Sequence, residues 1–521
     1  MHRAHRPPTA EAQVAAELAE VRSGLVPRYA AELPGARAAV LTRLWRALAH
    51  EPLPWIGRRV PAADGLALRL TDGRSLHGPR ADPYATGEYV TVVRLDGMAY
   101  DDPVRLMTDL AVPHAAGFAA ELGHSVASLA LSRAGRPEQA EAWPERDWEW
   151  EQRVVDGHPY HPNCRSRPGF SVAEQLAYGP EHRPVVELGT APVRAEECLV
   201  TGAWPEELRD GERLLVPVHP WQAEHVLKLG PTTDRRALPA HPLMSLRTLA
   251  LPTGPDGSQG AHVKTALSAR LTSSVRDIST YSIGAAATLS AFAEELAART
   301  DGLLHVTRTL GAVAAGSPDL AAMLRESPEV YAPPGERVLP VAALATTGLP
   351  NSPAWLADFA RLALTVGMRL LDLGVALEAH GQNLLVVLSA SGAPLRLVYR
   401  DLADIRISPA RLARHGLTPP NLTGRLITDD VTTLRRKLFG SLVAGALAAT
   451  AGSGPALGAA LETAVRDLPA TADLTALRTE PLPTKALTLM RLSPETPGDL
   501  WATLPNPLAD PLVLEPDTSD H

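Results

Sequence analysis

Residues 377–402 read LEAHGQNLLVVLSASGAPLRLVYRDL. Two apolar runs, Leu384 to Leu388 and Pro394 to Tyr399, flank SASGA, whose Gly392 can take the positive φ of a tight turn, so the stretch predicts a β-hairpin. Pairing centred on Ser391 sets Asn383 opposite Tyr399 and Gly381 opposite Asp401, which returns Asp401 to the side of His380 and Asn383. Glu378, Asn383 and Asp401 at one strand end form a hard-oxygen cluster, the donor set Mg²⁺ takes when it also bridges nucleotide phosphates. Taken singly, each polar residue here reads as a turn former or a cap. Four of them in six positions, with an aspartate brought back by pairing, point to a metal or phosphate site.

Working upstream, SLRTL (245–249) offers Ser245, Arg247 and Thr248 within four residues, and HVKTALSARLTSSVRDIS (262–279) places Lys264 and Arg276 twelve apart with Thr272 and Ser273 between. A guanidinium forks two phosphate oxygens and an ammonium supplies a point charge, so these groups suit a triphosphate. A lone Lys or Arg in a strand is ordinarily a solvated face; the conjunction with the hairpin cluster is what carries the reading. GHPYHPNCRSRPG (157–169) is a third constellation. No Cys or carboxylate at ligand spacing completes a zinc set there. It reads either as a rigid Pro-braced turn or as a loop that lets backbone, Arg165 and Arg167 approach a nucleotide. VPVHPWQ (216–222) reads as a strand ending in a Pro-braced turn with Trp221 packed.

The 521 residues exceed what one core usually supports, so two or three domains are expected. Fifty Lys and Arg against 58 Asp and Glu give a net charge of −8 with no basic tract, which disfavours a phosphate-neutralising face and hence nucleic-acid binding. The two cysteines, Cys164 and Cys198, make neither a disulfide framework nor a C-x-x-C motif, and a reducing cytoplasm is expected. The N-terminus lacks the apolar core of a secretion signal. Leu438 to Leu461 is uncharged, but its glycines and Pro455 read as two packed helices joined at Ser453 to Pro455 and not as a membrane span.

Helical periodicity opens the chain, with Val14, Leu18 and Val21 on one face and Val40, Leu41, Leu44 and Leu48 on another. LALRLTDGRSLHG and EYVTVVRLDGMAY each carry Asp-Gly between apolar runs, the strongest short hairpin signal. A helix follows over Pro113 to Ala134. Residues 157–300 are turn-rich and polar, ending in the helical AAATLSAFAEELAART. Residues 354–377 are helical, and after the hairpin helices run nearly to the end, with a loosely held tail beyond Leu492. These shifts predict an α+β fold cut near 156 and 325: an N-terminal region 1–156 of helices and hairpins, a central region 157–325 with the phosphate-binding motifs, and a largely helical region 326–521 that contains the hairpin.

Together these stretches resemble the NRPS-independent siderophore synthetases, the aerobactin-synthetase (IucA/IucC-type) family. The family's G-H-P-x-H-P-x-x-K-x-R-x-G, H-P-W-Q, S-x-R-T, a Lys and an Arg twelve apart, E-x-H-G-Q-N and a later R-D all occur here in order, with Arg165 in place of the first motif's lysine. The resemblance implies three domains arranged as a cupped hand of thumb, fingers and palm, with ATP between fingers and palm, and a homodimer. It implies adenylation of a carboxylate, such as citrate or a citryl or succinyl derivative, followed by capture with an amine or hydroxyl to give an amide or ester in siderophore-type biosynthesis. Carried over residue by residue, His158, His161, Arg165, Arg167, Ser245, Arg247, Thr248, Lys264, Arg276, His380, Gln382 and Asn383 would bind ATP, with Lys264, Arg276 and His380 catalytic. Glu378, Asn383 and Asp401 would hold Mg²⁺, while Thr272, Arg276, His380, Gln382 and one of Arg435 and Arg436 would face the acyl substrate.

Two other classes compete. The hairpin also resembles the H-G-D, N and later D of aminoglycoside-type phosphotransferases, but Gln382 stands where the acid would be, and an amide cannot take a hydroxyl's proton. A non-enzymatic citrate- or siderophore-binding protein would fit the Arg-rich centre and leave the hairpin cluster without a purpose.

Overall fold

The computed structural model describes residues 9–87, 89–137, 142–229, 237–252, 260–272 and 274–509. The hairpin forms where its apolar runs place it, as strands Leu384–Leu388 and Pro394–Tyr399. The register differs from the expected one by a single residue: Leu384, not Asn383, lies opposite Tyr399, and the ladder shifts between Val387 and Leu388. The irregularity in the turn moves the pivot off Ser391, so Arg400 N donates to Asn383 O at 3.0 Å. All five residues of Leu384–Leu388 are at most 2% exposed, each burial being favourable by about 1.5–3 kcal/mol of transfer free energy.

The hairpin is the centre of a four-stranded sheet in the order Leu304–Val306, Pro394–Tyr399, Leu384–Leu388, Arg337–Pro340, with the first pair parallel. A second sheet contains, among the described residues, nine strands, all paired antiparallel between Val186 and Glu326. Its central run is Ala321–Glu326, Ala261–Thr265, Thr248–Ala250, Leu238–Pro242. The chain crosses between the two sheets at Thr307–Arg308, which join Leu304–Val306 to Thr309–Ala314. The cut expected near 325 falls inside the strand Ala321–Glu326, which belongs to the larger sheet.

The N-terminal core packs helices Ala10–Arg22, Val26–His50 and Ala115–Ala134 against five short strands between Ile56 and Tyr100. Both Asp-Gly hairpins form. Val21 leaves the expected apolar face and is 49% exposed. The segment after Val218 is a helix, Pro220–His225, in place of the expected turn, with His219 Nδ1 accepting from Trp221 N and Trp221 stacked on Phe170.

The largest core surrounds helix Pro353–Leu373 and the C-terminal helices. The uncharged stretch is two helical runs, Val431–Ala451 and Gly454–Asp467, bent by 119°. Among the described residues no single helix is long and apolar enough to cross a membrane. The expected loose tail is instead packed as far as it is described: Trp501–Leu504 pairs with Leu482–Lys485, and Leu504 is 1% exposed. Residues 510–521 lie outside the described residues.

Candidate active site

Strand alternation aims one face of the large sheet at the hairpin. In the ladder Lys264 faces Thr248 on one side and Met323 on the other, while His262 faces Ala250 and Arg325. Because side chains two apart share a face, Thr248, His262, Lys264 and Arg325 point the same way. Lys264 is 6% and Arg325 9% exposed. Both reach Asp401: Lys264 Nζ donates to its two carboxylate oxygens at 3.0 and 2.8 Å, and Arg325 Nη2 to Oδ1 at 3.2 Å. Burial pushes the Asp401 carboxyl up, but Lys264, Arg325 and Arg247 outweigh it and hold the group well below the usual range. Burial likewise pushes the Lys264 ammonium down to about 7, against the pull of Asp401.

The S-L-R-T turn is closed by Ser245 Oγ accepting from Thr248 N at 3.1 Å. Arg247 Nη1 donates to the carbonyls of Arg276 and Asp277 at 2.5 and 2.8 Å, which fixes the end of strand Ser274–Arg276 and so the root of the Arg276 side chain. Burial lowers both guanidiniums, Arg247 to about 10, with Asp401 the largest opposing charge in each case. Leu246, Thr272 and Asp401 all adopt positive φ, at 62, 57 and 73°. Left-handed backbone in bulky non-glycine residues is strained, and it recurs here in three of the motif segments.

His380 lies among the same charges: burial lowers its pKa, Glu378 and then Asp401 raise it, and Lys485 and Lys437 lower it. Gln382 N donates to His380 Nδ1 at 3.3 Å. Asn383 Nδ2 donates to Glu378 O at 3.3 Å. The glycine of H-G-Q-N has a packing reason, since a Cβ on Gly381 would sit 3.0 Å from Ala342 N. His158, although its surface is exposed, is lowered by the protein packed around its ring and then by His161 and His380, and burial pushes His161 down to about 3, with Arg491 and Arg276 the next causes. Both histidines therefore stand with the His380 and Arg276 group. Thr272, half-buried at the adjoining turn, donates its N–H to Ser166 O at 3.1 Å, while Ser273 lies outside the described residues.

Other expected site residues are not brought together. Glu378 Oε1 accepts from Lys437 at 3.3 Å and Lys485 at 3.0 Å, whereas Asp401 is held by Lys264 and Arg325. The two carboxylates bear on His380 from separate ion-pair groups. Arg165 and Arg167 turn inward onto Glu181, at 3.4 and 2.7 Å, and Arg165 Nε also donates to Val155 O. The charges that act most on Arg165 are Glu181, Arg167 and Asp156, none of them in the Lys264 group. Arg435 is bound to Asp473 and to Ala472 O, and Arg436 is exposed.

Their neighbour Lys437, 2% exposed, faces Glu378 alongside Lys485, with Asp404 as a second partner at 2.6 Å. Helical phase could have found it, because Lys437 and Leu438 follow the buried Leu434 at i+3 and i+4 in Val431–Leu438. Arg325 had no such signal.

Residues 147–346 match the IucA / IucC family model. This part of the chain is an IucA/IucC family domain. The region C-terminal to it, residues 353–499, matches a model described as ferric iron reductase FhuF-like transporter. Both cysteines, Cys164 and Cys198, fall outside that region, so a thiolate-held iron centre finds no ligand within it. The chain is 25% identical to a citryl-spermidine/3,4-dihydroxybenzoyl-citryl-spermidine:spermidine ligase of Bacillus anthracis, over 49% of this chain and 51% of that one. It is 26% identical to the rhizobactin siderophore biosynthesis protein RhbF of Rhizobium meliloti, over 56% and 59%. The chain thus spans about half the length of the curated relatives it matches.

The fold extends beyond the IucA/IucC domain. The petrobactin biosynthesis protein AsbB from Bacillus anthracis str. Sterne matches with a TM-score of 0.74 at 20% identity, over 94% of this chain and 98% of that one. The ATP-bound aerobactin synthetase IucA from a hypervirulent Klebsiella pneumoniae matches at 0.71 and 19%, over 91% and 99%.

Proposed function

We propose that the protein is an ATP-dependent synthetase of siderophore type, which adenylates a carboxylate and condenses it with an amine or hydroxyl. The observation that carries this reading is the excess of buried positive charge around one carboxylate: Lys264, Arg325 and Arg247 act on Asp401, with Arg276 and His380 alongside. One aspartate does not balance that many cations, and a polyphosphate does. The names of two relatives, the citryl-spermidine ligase and a D-ornithine–citrate ligase of Staphylococcus aureus, favour a citrate-derived acid and an amine as the substrate pair.

In this reading Ser245, Arg247, Thr248, Lys264 and Arg276, with His158 and His161, hold the phosphates at the junction of the two sheets. A carboxylate oxygen of the substrate attacks the α-phosphorus as the bond to the bridging oxygen breaks, and pyrophosphate leaves with that electron pair. The amine or hydroxyl then attacks the acyl carbon and AMP departs. Developing charge on the phosphates is met by Lys264, held beforehand by its ion pair with Asp401, and by Arg247 and Arg276, held by backbone carbonyls. His380, Gln382, Thr272 and Arg276 face the acyl group.

Glu378, Asn383 and Asp401 supply hard oxygens of the kind Mg²⁺ takes, but Lys437 and Lys485 hold Glu378 while Lys264 and Arg325 hold Asp401, so they would hold the ion together only once both groups let go. When bound, Mg²⁺ neutralises charge on the phosphates. The cupped-hand arrangement, with the nucleotide between fingers (157–325) and palm (326–521), a homodimeric state and a cytoplasmic location belong to the same proposal.

Incubation with ATP, hydroxylamine and a panel of carboxylic acids tests it. Acid-dependent release of pyrophosphate and AMP is expected. Formation of ADP in their place would replace the synthetase with a kinase, and ligand binding without ATP consumption would replace it with a binding protein.

A further inference from the structure

The R-D pair at the end of the hairpin contains Arg400, 7% exposed, which the proposed chemistry leaves without a task. Its Nη1 lies 2.7 Å from Glu151 Oε1. Its Nε and Nη2 donate to Gln382 O at 3.0 and 2.8 Å, and its backbone N–H donates to Asn383 O. The other oxygen of Glu151 accepts from Met244 N at 2.8 Å, immediately before Ser245. One carboxylate therefore joins the S-L-R-T turn of the large sheet to the H-G-Q-N loop of the small one.

Glu151 belongs to the short helix Asp147–Gln152, and the opposite end of that helix is also tied down. Asp147 Oδ2 lies 2.9 Å from Nε2 of His262, two residues before Lys264 on the same strand face, and Asp147 N donates to Glu329 Oε1 at 3.0 Å. Trp150 between them is fully buried. Asp147 and Glu151 are 2% and 1% exposed, so the water that would let these groups reorient is excluded. Buried ion pairs contribute little net stability compared with well-packed apolar residues of the same volume. They do hold their partners together, because separating either pair would leave a buried charge uncompensated.

We infer that Glu151 and Arg400 are positioning residues, which hold the S-L-R-T turn and the H-G-Q-N loop in one register through the helix Asp147–Gln152. That these are phosphate-contacting loops rests on the proposed function; the mechanical link between them does not. The two loops lie on separate sheets, and this tie adds to the Lys264–Asp401 and Arg325–Asp401 contacts that also bridge them. Each residue touches one loop directly and the other only through its partner, and that asymmetry supplies the test.

Hydrogen exchange is measured on the full ligand-free chain, for wild type, Glu151→Gln and Arg400→Lys. Exchange over 380–384 is expected to rise about tenfold in Glu151→Gln, and over 244–248 about tenfold in Arg400→Lys, each in the loop the altered residue does not touch. The double variant should loosen both loops no further than either single variant. In kinetics, the KM for ATP should rise about tenfold with kcat within about threefold. Loosening confined to the directly contacted loop, or a kcat loss with KM unchanged, overturns the inference. If Glu151→Gln fails to fold, Glu151→Asp, which keeps the charge and shortens its reach, is read in the same way. A wild type that releases no pyrophosphate with any acid defeats the proposed function, while the exchange data still decide the coupling.

Discussion

Lys264 Nζ sits 3.0 and 2.8 Å from the two carboxylate oxygens of Asp401, 137 positions away in the chain. The contact crosses from the large sheet to the end of the hairpin in the small one, so the site is a property of how the sheets meet. Burial opposes the charge on both partners, and each remains where it is because the other is there. An arriving anion would compete with Asp401 for Lys264 and release a carboxylate in the same motion.

Replacing Lys264 by Ala removes the point charge and leaves Asp401 with Arg325 and the Arg247 field. Acid-dependent pyrophosphate release should fall by at least about 10²-fold, the scale of losing one preorganised charge stabiliser. His380→Ala should cost a comparable factor. Circular dichroism and thermal melting check that folding is intact. Turnover retained in a folded variant removes that residue from the mechanism.

The Arg165–Glu181–Arg167 group predicts a stability effect with no direct catalytic counterpart. All three are at most 5% exposed, and Glu181→Gln would leave two buried guanidiniums short of a counter-charge, at a cost of about 3–5 kcal/mol in urea unfolding. Burial pushes the Glu181 carboxyl up, but Arg165 and then Arg167 outweigh it and hold it well below the usual range. A depressed carboxylate contributes stability present above its unfolded pKa and lost as pH falls toward the folded value. The gap between wild type and Glu181→Gln should therefore be full near neutrality and narrow below a pH of about 4. A variant as stable as wild type at neutral pH would show the group to be dispensable.

The hairpin was legible because its signals are local: two apolar runs, a Gly-containing turn and polar residues at one mouth. Its register was not, since the shift between Val387 and Leu388 arises in pairing and leaves no mark in composition. The same division runs through the site. Lys264, Arg276 and His380 were found from spaced motifs, and the structure places them in one electrostatic neighbourhood with Asp401. Arg325 and Glu151 were missed because their partners, Asp401 and Arg400, are distant in sequence and lie on another sheet. Arg165 and Arg167 looked like phosphate ligands because charge alone does not show that Glu181 waits inside the fold. Strands between 186 and 314 were hidden in a polar, turn-rich composition, short strands with Pro and His giving little alternation to read.

Divalent-cation dependence should be conditional. Glu378 is held by Lys437 and Lys485, and Asp401 by Lys264 and Arg325, so the free protein presents its acids already neutralised. Calorimetry should show weak binding of Mg²⁺ alone and tighter binding once ATP is present to draw Lys264 away. Glu378→Gln and Asp401→Asn should each reduce the ATP-linked enhancement. Full activity in excess chelator would rule out the metal role of all three residues.

The depressed ammonium of Lys264 predicts opposite pH trends for activity and stability. With burial pushing it down to about 7, Lys264 is charged below that pH and neutral above it in the free enzyme. A neutral amine cannot stabilise phosphate charge, so kcat/KM for ATP should fall as pH rises through about 7. Lys264→Arg, whose guanidinium stays protonated, should flatten that limb even if the maximal rate is lower. For stability the sign reverses. An ordinary lysine in the unfolded chain titrates near about 10.4, so between about 7 and 10 the unfolded state binds more protons, and this group makes unfolding free energy rise with pH. Its burial cost is fully present below the folded value and relieved above it. Melting temperature and kcat/KM, followed together from a pH of about 6 to 9, should diverge in wild type, and in Lys264→Met the melting trend should lose this contribution. A kcat/KM that holds level across the window would mean that Lys264 keeps its proton there, or that it has no part in binding the nucleotide.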